Sequence, residues 1–243
     1  MTAAGEELLL TVRDFDDAWN RLESATDDLK SFKRGKLRVG LVTTAQHALP
    51  HMLDDLFWHS PEIDIELEIA NTQRIVERMF GNQDDLGVMS YPPTNLDIVS
   101  QPFLDNEYVV LAPAAHWAVG KALRLQELGT EHFLLREEGS GSRHVIDPHM
   151  RDTDIQWKVR LSPASDEAIR ELVASGIGLT VLSRQALGDR PGRDGLAILD
   201  ISGFPLNRRW SVVHLRGKIL SLPAMAFLAD LLHSAAGDRT SAA

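Results

Sequence analysis

The chain has 243 residues, 44% hydrophobic and 25% charged, enough apolar material for a sizeable core, which excludes a disordered polymer. Lys and Arg total 25 against 35 Asp and Glu, a formal charge of −10 that phosphate backbones repel. Cysteine is absent, which removes disulfides, thiolate nucleophiles and Cys-ligated zinc.

The opening segment carries no basic region, and its apolar run Leu8-Leu9-Leu10 stops at Arg13 and Asp14. That is too short for a signal peptide. No window approaches the ~20 apolar residues of a membrane span. A soluble, cytoplasmic protein with no membrane partner is expected; a secreted protein with its signal removed stays open. Leu8, Val12, Phe15, Trp19, Leu22, Thr26 and Leu29 recur in alternating steps of four and three, a heptad seam. The spacing predicts a linker helix over 1–34 that dimerises. The alternative is an amphipathic helix lying on its own domain. The run Lys33-Arg34-Gly35-Lys36 is expected to end it, with basic residues at the C-terminal dipole and glycine just beyond.

Strands and helices then alternate. Strands are expected at 37–42, 63–69, 85–90, 98–104 and 108–112, with helices at 48–58 and 75–80. A second set has a strand at 133–135, a helix from Val145, a strand at 157–161, a helix at 167–174 and a strand at 179–182. A last strand at 210–215 and a helix at 222–232 follow, and the tail 235–243 is expected to fray. Such alternation predicts an α/β fold with mainly parallel sheets. A helix, a glycine and a strand ending in serine occur at Ile75, Gly81 and Leu86–Ser90, and again at Ile169, Gly176 and Leu179–Ser183. The echo suggests two similar Rossmann-like lobes enclosing a central cleft. Phe57, Trp58, Trp157, Trp210 and Phe227 are expected to fill cores or a dimer face.

Several stretches carry a family resemblance: Leu37-Arg-Val-Gly-Leu-Val-Thr-Thr44, Asn71-Thr-Gln-Arg-Ile-Val-Glu-Arg78, Asp85-Leu-Gly-Val-Met-Ser-Tyr-Pro-Pro93, Pro102-Phe-Leu-Asp-Asn106, Leu135-Arg-Glu-Glu-Gly-Ser-Gly-Ser-Arg143, Asp166-Glu-Ala-Ile169 and Arg208-Arg-Trp210. Their order and spacing resemble the effector-binding domain and linker helix of LysR-type transcriptional regulators, most closely the RuBisCO-operon (CbbR-like) subgroup. The resemblance implies a type 2 periplasmic-binding-protein-like fold, with lobe I over 35–113 plus 205–236 and lobe II over 114–204. It implies a homodimer or homotetramer that meets promoter DNA only through an N-terminal winged helix-turn-helix. That module is absent here, since Met1 stands where the linker begins; a shortened chain or a mis-assigned start is expected.

The candidate effector site sits at strand ends, where open α/β sheets bind ligands. Thr43 and Thr44 follow the first strand, and Asn71 and Thr72 the second; each pair either caps a helix or contacts a ligand. Ser90 leaves its strand at the carboxyl end, and Tyr91 either stacks on a ligand or packs. The stretch Arg136 to Arg143 offers Ser140 and Ser142 hydroxyls, flexible Gly139 and Gly141, and two guanidinium forks for phosphate or carboxylate. Its alternative is a turn in which Arg136 and Arg143 pair with Glu137 and Glu138. Ser165 and Asp166 suit a helix N-cap, and the family resemblance suggests that this turn also faces the effector pocket, bordered by Leu182-Ser183.

His47 with His51, and His144 with His149, lack a third ligand, so no metal is expected, and no cofactor. No nucleophile elbow is present, and an enzyme is not expected. The expected ligand is a small anionic metabolite, a phosphorylated sugar or acid or NADPH, sensed to control transcription. The rival is a solute-binding protein of a transporter, which shares the two-lobe architecture.

Overall fold

The computed structural model describes residues 2–27, 34–59, 61–152, 157–187 and 195–241. In chain order, α1 (Ala3–Asp27) is followed by β1 (Arg34–Val42), a 3-10 turn (Thr43–Ala48), α2 (Leu49–His59), β2 (Glu62–Ala70), α3 (Thr72–Phe80), β3 (Leu86–Met89) and β4 (Ile98–Pro113). Then come β5 (Ala122–Leu123), β6 (His132–Leu134), α4 (Gly141–Asp152), β7 (Lys158–Leu161), α5 (Asp166–Ala174), β8 (Leu179–Ser183), β9 (Leu196–Ile198), β10 (Asp200–Ile201), β11 (Leu206–Leu215) and α6 (Leu222–Ser241). No helix among the described residues is long and apolar enough to cross a membrane.

The chain forms two compact units, one of residues 1–104 and 211–243, the other of residues 105–210. The crossings therefore fall at 104/105 and 210/211, not at 113/114 and 204/205 as the sequence suggested. The physical reason is that β4 and β11 are each continuous through a crossing. The break expected between 104 and 108 is absent: Asp105, Asn106 and Glu107 lie within one 16-residue strand.

In the first unit, β1 pairs in parallel with β2 and with β3, and β11 runs antiparallel to β3. In the second, β6 pairs in parallel with β7 and with β8, and β4 runs antiparallel to β8. The two units share one topology, three parallel strands closed by an antiparallel fourth, as the sequence echo implied. Each unit is thus mainly parallel, as expected, with one antiparallel strand closing the set. Unit 2 buries both sheet faces. Tyr108, Val110 and Ala112 pack with Val145 and Ile146 of α4, while Val109 and Leu111 pack with Ile169 and Val173 of α5. The continuous apolar run of β4 follows from this two-sided burial. Trp210 and Phe227 are buried, whereas Phe57 and Trp58 are exposed and belong to no core.

The helix α1 lies on the first unit with its polar side inward. Arg13 Nη1 donates to the Gly81 carbonyl at 2.7 Å, and Asn82 Nδ2 donates to Asp14 Oδ1 at 2.9 Å. The buried Asp17 carboxylate pairs with Arg38 and, at 3.3 Å, with Lys218. Arg38 also binds Asp85 at 2.7 Å, and Lys218 Nζ donates to Asn82 Oδ1 at 2.6 Å. The apolar seam points the other way: Leu8, Val12, Phe15, Trp19 and Leu22 are 48–67% exposed. Leu29 and Lys33 lie outside the described residues. Arg34, Gly35 and Lys36 do not end the helix; they are already in β1, paired with Glu62, Ile63 and Asp64. The tail expected to fray continues α6 to Ser241, in keeping with the helix preference of Ala235 and Ala236.

Burial works against the Asp85 charge, but hydrogen bonds and the charge of Arg38, with help from Lys218, hold its carboxyl below the usual carboxylate range. A carboxylate whose folded pKa is depressed stabilises the fold fully above its unfolded value of about 3.9 and less as pH falls below it. We expect chemical-denaturation stability to fall between about pH 5 and pH 3 and the fall to be shallower in Asp85→Asn. Equal pH slopes for the two proteins would contradict this. Asp85→Ala should cost about 3–5 kcal/mol, because it leaves buried cations short of a partner.

Candidate effector-binding site

In a parallel α/β unit, each helix that follows a strand starts at the carboxyl edge of the sheet. Its first N–H groups are unpaired and carry partial positive charge. Most of the sequence-derived candidates fall at or near such starts, while Ser90 and Tyr91 follow β3.

In the first unit, Thr43 Oγ1 donates to the Ala70 carbonyl at 3.2 Å, tying the end of β1 to the end of β2. Neither Thr43 nor Thr44 supplies the cap, which falls on Val42 without a side-chain hydrogen bond. Thr44 is buried. Asn71 is the N-cap of α3, its Oδ1 accepting from Arg74 N at 2.9 Å. Thr72 opens α3; it is buried, and its Oγ1 meets no hydrogen-bond partner among the described residues. Ser90 is buried just past β3, and Tyr91 is more exposed.

In the second unit, Gly139 adopts a φ of 81°, a conformation that glycine tolerates best, and turns the chain from β6 into α4. Ser140 caps that helix: its Oγ accepts from Arg143 N at 3.3 Å and its carbonyl from His144 N at 3.2 Å. Ser142 is fully buried in the first turn, and its Oγ has no partner among the described residues. Arg143 retains some exposure; its Nε donates to Asp147 Oδ1 at 2.6 Å and its Nη1 to the Arg136 carbonyl at 3.2 Å.

Arg136 is placed differently from a ligand-gripping fork. It is 1% exposed. Its Nε and Nη2 donate to Glu137 at 2.8 and 3.0 Å, and its Nη1 donates to Asp166 Oδ1 at 2.6 Å. Burial works against its charge, and Glu137 and Asp166 outweigh burial, holding the guanidinium above its ordinary pKa. Asp166 is itself fully buried at the start of α5. Ser165 is the N-cap of α5, accepting from Ala168 N at 3.2 Å and donating to Glu167 Oε2 at 2.9 Å. Arg136 and Asp166 thus bind the start of α5 to the turn before α4. The turn alternative in the sequence is met for Glu137 but not for Arg143, whose carboxylate partner is Asp147.

Each unit therefore presents at a helix start a buried hydroxyl with no partner among the described residues, where the helix dipole favours an anion. No group of His, Cys, Asp or Glu suited to a metal ion occurs among the described residues. Asn106, buried in β4 with an Nδ2 that meets no hydrogen-bond partner among the described residues, is not singled out by the sequence because the stretch around it suggests a strand break. The alternation of β4, which puts it on the face of Tyr108 and Val110, was the missed signal.

The family model of the LysR substrate binding domain matches residues 30–236. The transcriptional activator CmpR of Synechocystis sp. is 34% identical over 94% of this chain and 75% of its own length. A RuBisCO operon transcriptional regulator of Acidithiobacillus ferrooxidans is 35% identical over 98% of this chain and 77% of its own. Among solved structures, the regulatory domain of Synechocystis CcmR in complex with 2-PG superposes with a TM-score of 0.78 at 39% identity, covering 82% of this chain and 96% of that one. The effector binding domain of QuiR, at 20% identity and a TM-score of 0.76, shares the fold. With a family model spanning most of its length and regulators of this kind as relatives, the chain belongs to the LysR substrate-binding domain family.

Proposed function

We propose that this chain is the sensing domain of a cytoplasmic regulator of carbon-fixation genes, and that its effector is a small anion carrying phosphate or carboxylate. The observation that carries this reading is the fully buried Ser142 Oγ, unpartnered among the described residues, in the first turn of α4 beside Arg143. A buried hydroxyl without a partner costs about 1–3 kcal/mol, and an anionic oxygen docking there would relieve that cost. Thr72 Oγ1 at the start of α3 repeats the arrangement in the first unit. The CcmR domain in complex with 2-phosphoglycolate supports the same ligand chemistry. NADPH would offer phosphates of the same kind. The regulator relatives favour this reading over a transporter's solute-binding protein and over an enzyme. DNA contact belongs to a winged helix-turn-helix module outside these residues.

A second part of the reading concerns α1. Its polar side is engaged by the first unit while five large apolar residues face outward. A seam of that spacing suits a second copy of the same helix. We infer a dimer held partly through it.

Ser142→Ala and Arg143→Ala should each weaken 2-phosphoglycolate binding by about tenfold, the cost of one charge-assisted hydrogen bond, with little change in melting temperature. Calorimetric titration tests this; unchanged affinity in both variants would defeat the placement of the site. Arg136→Ala should instead lower stability by about 3–5 kcal/mol, because it leaves buried Asp166 without its guanidinium; a melting temperature like that of the parent would contradict that role. The double variant Phe15→Glu, Trp19→Glu should shift the chain to a smaller species in sedimentation analysis. A dimer of undiminished strength would show that other surfaces hold the copies together.

A further inference from the structure

Asn106, in β4, is 1% exposed. Its Oδ1 accepts a 2.6 Å hydrogen bond from Ser183 Oγ at the end of β8. Ser183 Oγ also accepts from Gln185 N at 3.3 Å, so its own proton is available for Asn106. That donation fixes the amide orientation and turns Nδ2 away from Ser183. Nδ2 is buried and meets no hydrogen-bond partner among the described residues.

Strand geometry locates this orphan donor. Asn106, Tyr108, Val110 and Ala112 alternate onto one face of β4. The last three pack with Val145 and Ile146 of α4 and with Leu179 and Val181 of β8. Ser183 continues the face of Leu179 and Val181. Because β8 is parallel to β6, the end of β8 and the start of α4 after β6 lie at the same end of the sheet. Ser142 Oγ, a further buried donor without a hydrogen-bond partner among the described residues, stands at that helix start. One sheet end thus carries an amide N–H and a hydroxyl, both buried and both lacking acceptors among the described residues.

We propose that Asn106, oriented by Ser183, reads the effector: Nδ2 donates to an anionic oxygen, phosphate or carboxylate, of the ligand that Ser142 and the first amides of α4 also hold. This deepens the proposed function and rests on it. Ser183 is then a positioning residue, since it acts through Asn106. An amide at this position accepts a negative oxygen without bringing a charge of its own into the core. A carboxylate of the same size would repel it.

The test titrates 2-phosphoglycolate, glycolate and inorganic phosphate into the parent chain, Asn106→Ala, Asn106→Asp and Ser183→Ala. The three probes separate a carboxylate from a phosphate as the group being read. Both Asn106 variants should lose about tenfold or more in affinity for the probe that the parent binds best, the Asp variant losing more. Ser183→Ala should lose less, because the amide is free to turn but still present. In ¹⁵N-labelled parent protein, the side-chain NH₂ pair that vanishes in Asn106→Ala should move on ligand addition. That shift decides the matter if a variant fails to fold. Parent binding with Asn106→Ala within twofold, or an NH₂ pair that stays put, would overturn the inference and assign Nδ2 to an ordered water only. A parent that binds none of the three anions would instead overturn the proposed function, and this inference with it.

Discussion

The constraint beneath this molecule is the parallel pairing of β1 with β2 and β3, and of β6 with β7 and β8. Parallel strands need crossovers, and these crossovers are helices whose starts return to the carboxyl edge of the sheet. The amide donors of α3, α4 and α5 therefore gather at strand ends without any residue being chosen for that purpose. Sequence then decides what each helix start does. Asn71 and Ser165 spend their side chains on capping, while Thr72 and Ser142 leave a buried hydroxyl without a partner among the described residues.

Rigidity around those starts comes from charge. Arg136 is enclosed by Glu137 and Asp166, so the turn before α4 and the start of α5 are joined by a buried ion pair. Such a pair contributes little net stability but is costly to break, which suits a part that must hold donors in place. Arg38, Asp17, Asp85 and Lys218 do the same for α1. The helix is fastened by its polar side, and its seam is left outward.

Much of this was legible in the sequence. The echo between Ile75–Ser90 and Ile169–Ser183 showed the repeated topology, because a helix, a glycine turn and a buried strand must follow one another at fixed lengths. The seam of α1 was legible from its spacing. The face that packs was not, since Arg13, Asp14 and Asp17 read as solvated charges until Arg38 and Lys218 are brought beside them. For Arg136 the pairing with neighbouring Glu137 was legible as the alternative, whereas Asp166, its second partner, lies 30 residues on. Asn106 was hidden because Asp-Asn-Glu suggests a break, whereas the apolar run after it carries the strand through. Long-range partners, not local pattern, decide which polar side chains are committed to the fold here.

Sensing by this domain, as proposed, depends on an anion held by donors at the start of α4. A crystal structure of the chain grown with 2-phosphoglycolate tests this most directly. Ligand oxygens are expected within hydrogen-bond distance of Ser142 Oγ and the first amides of α4. Ligand bound elsewhere on the chain, with Ser142 Oγ satisfied by water alone, would contradict it.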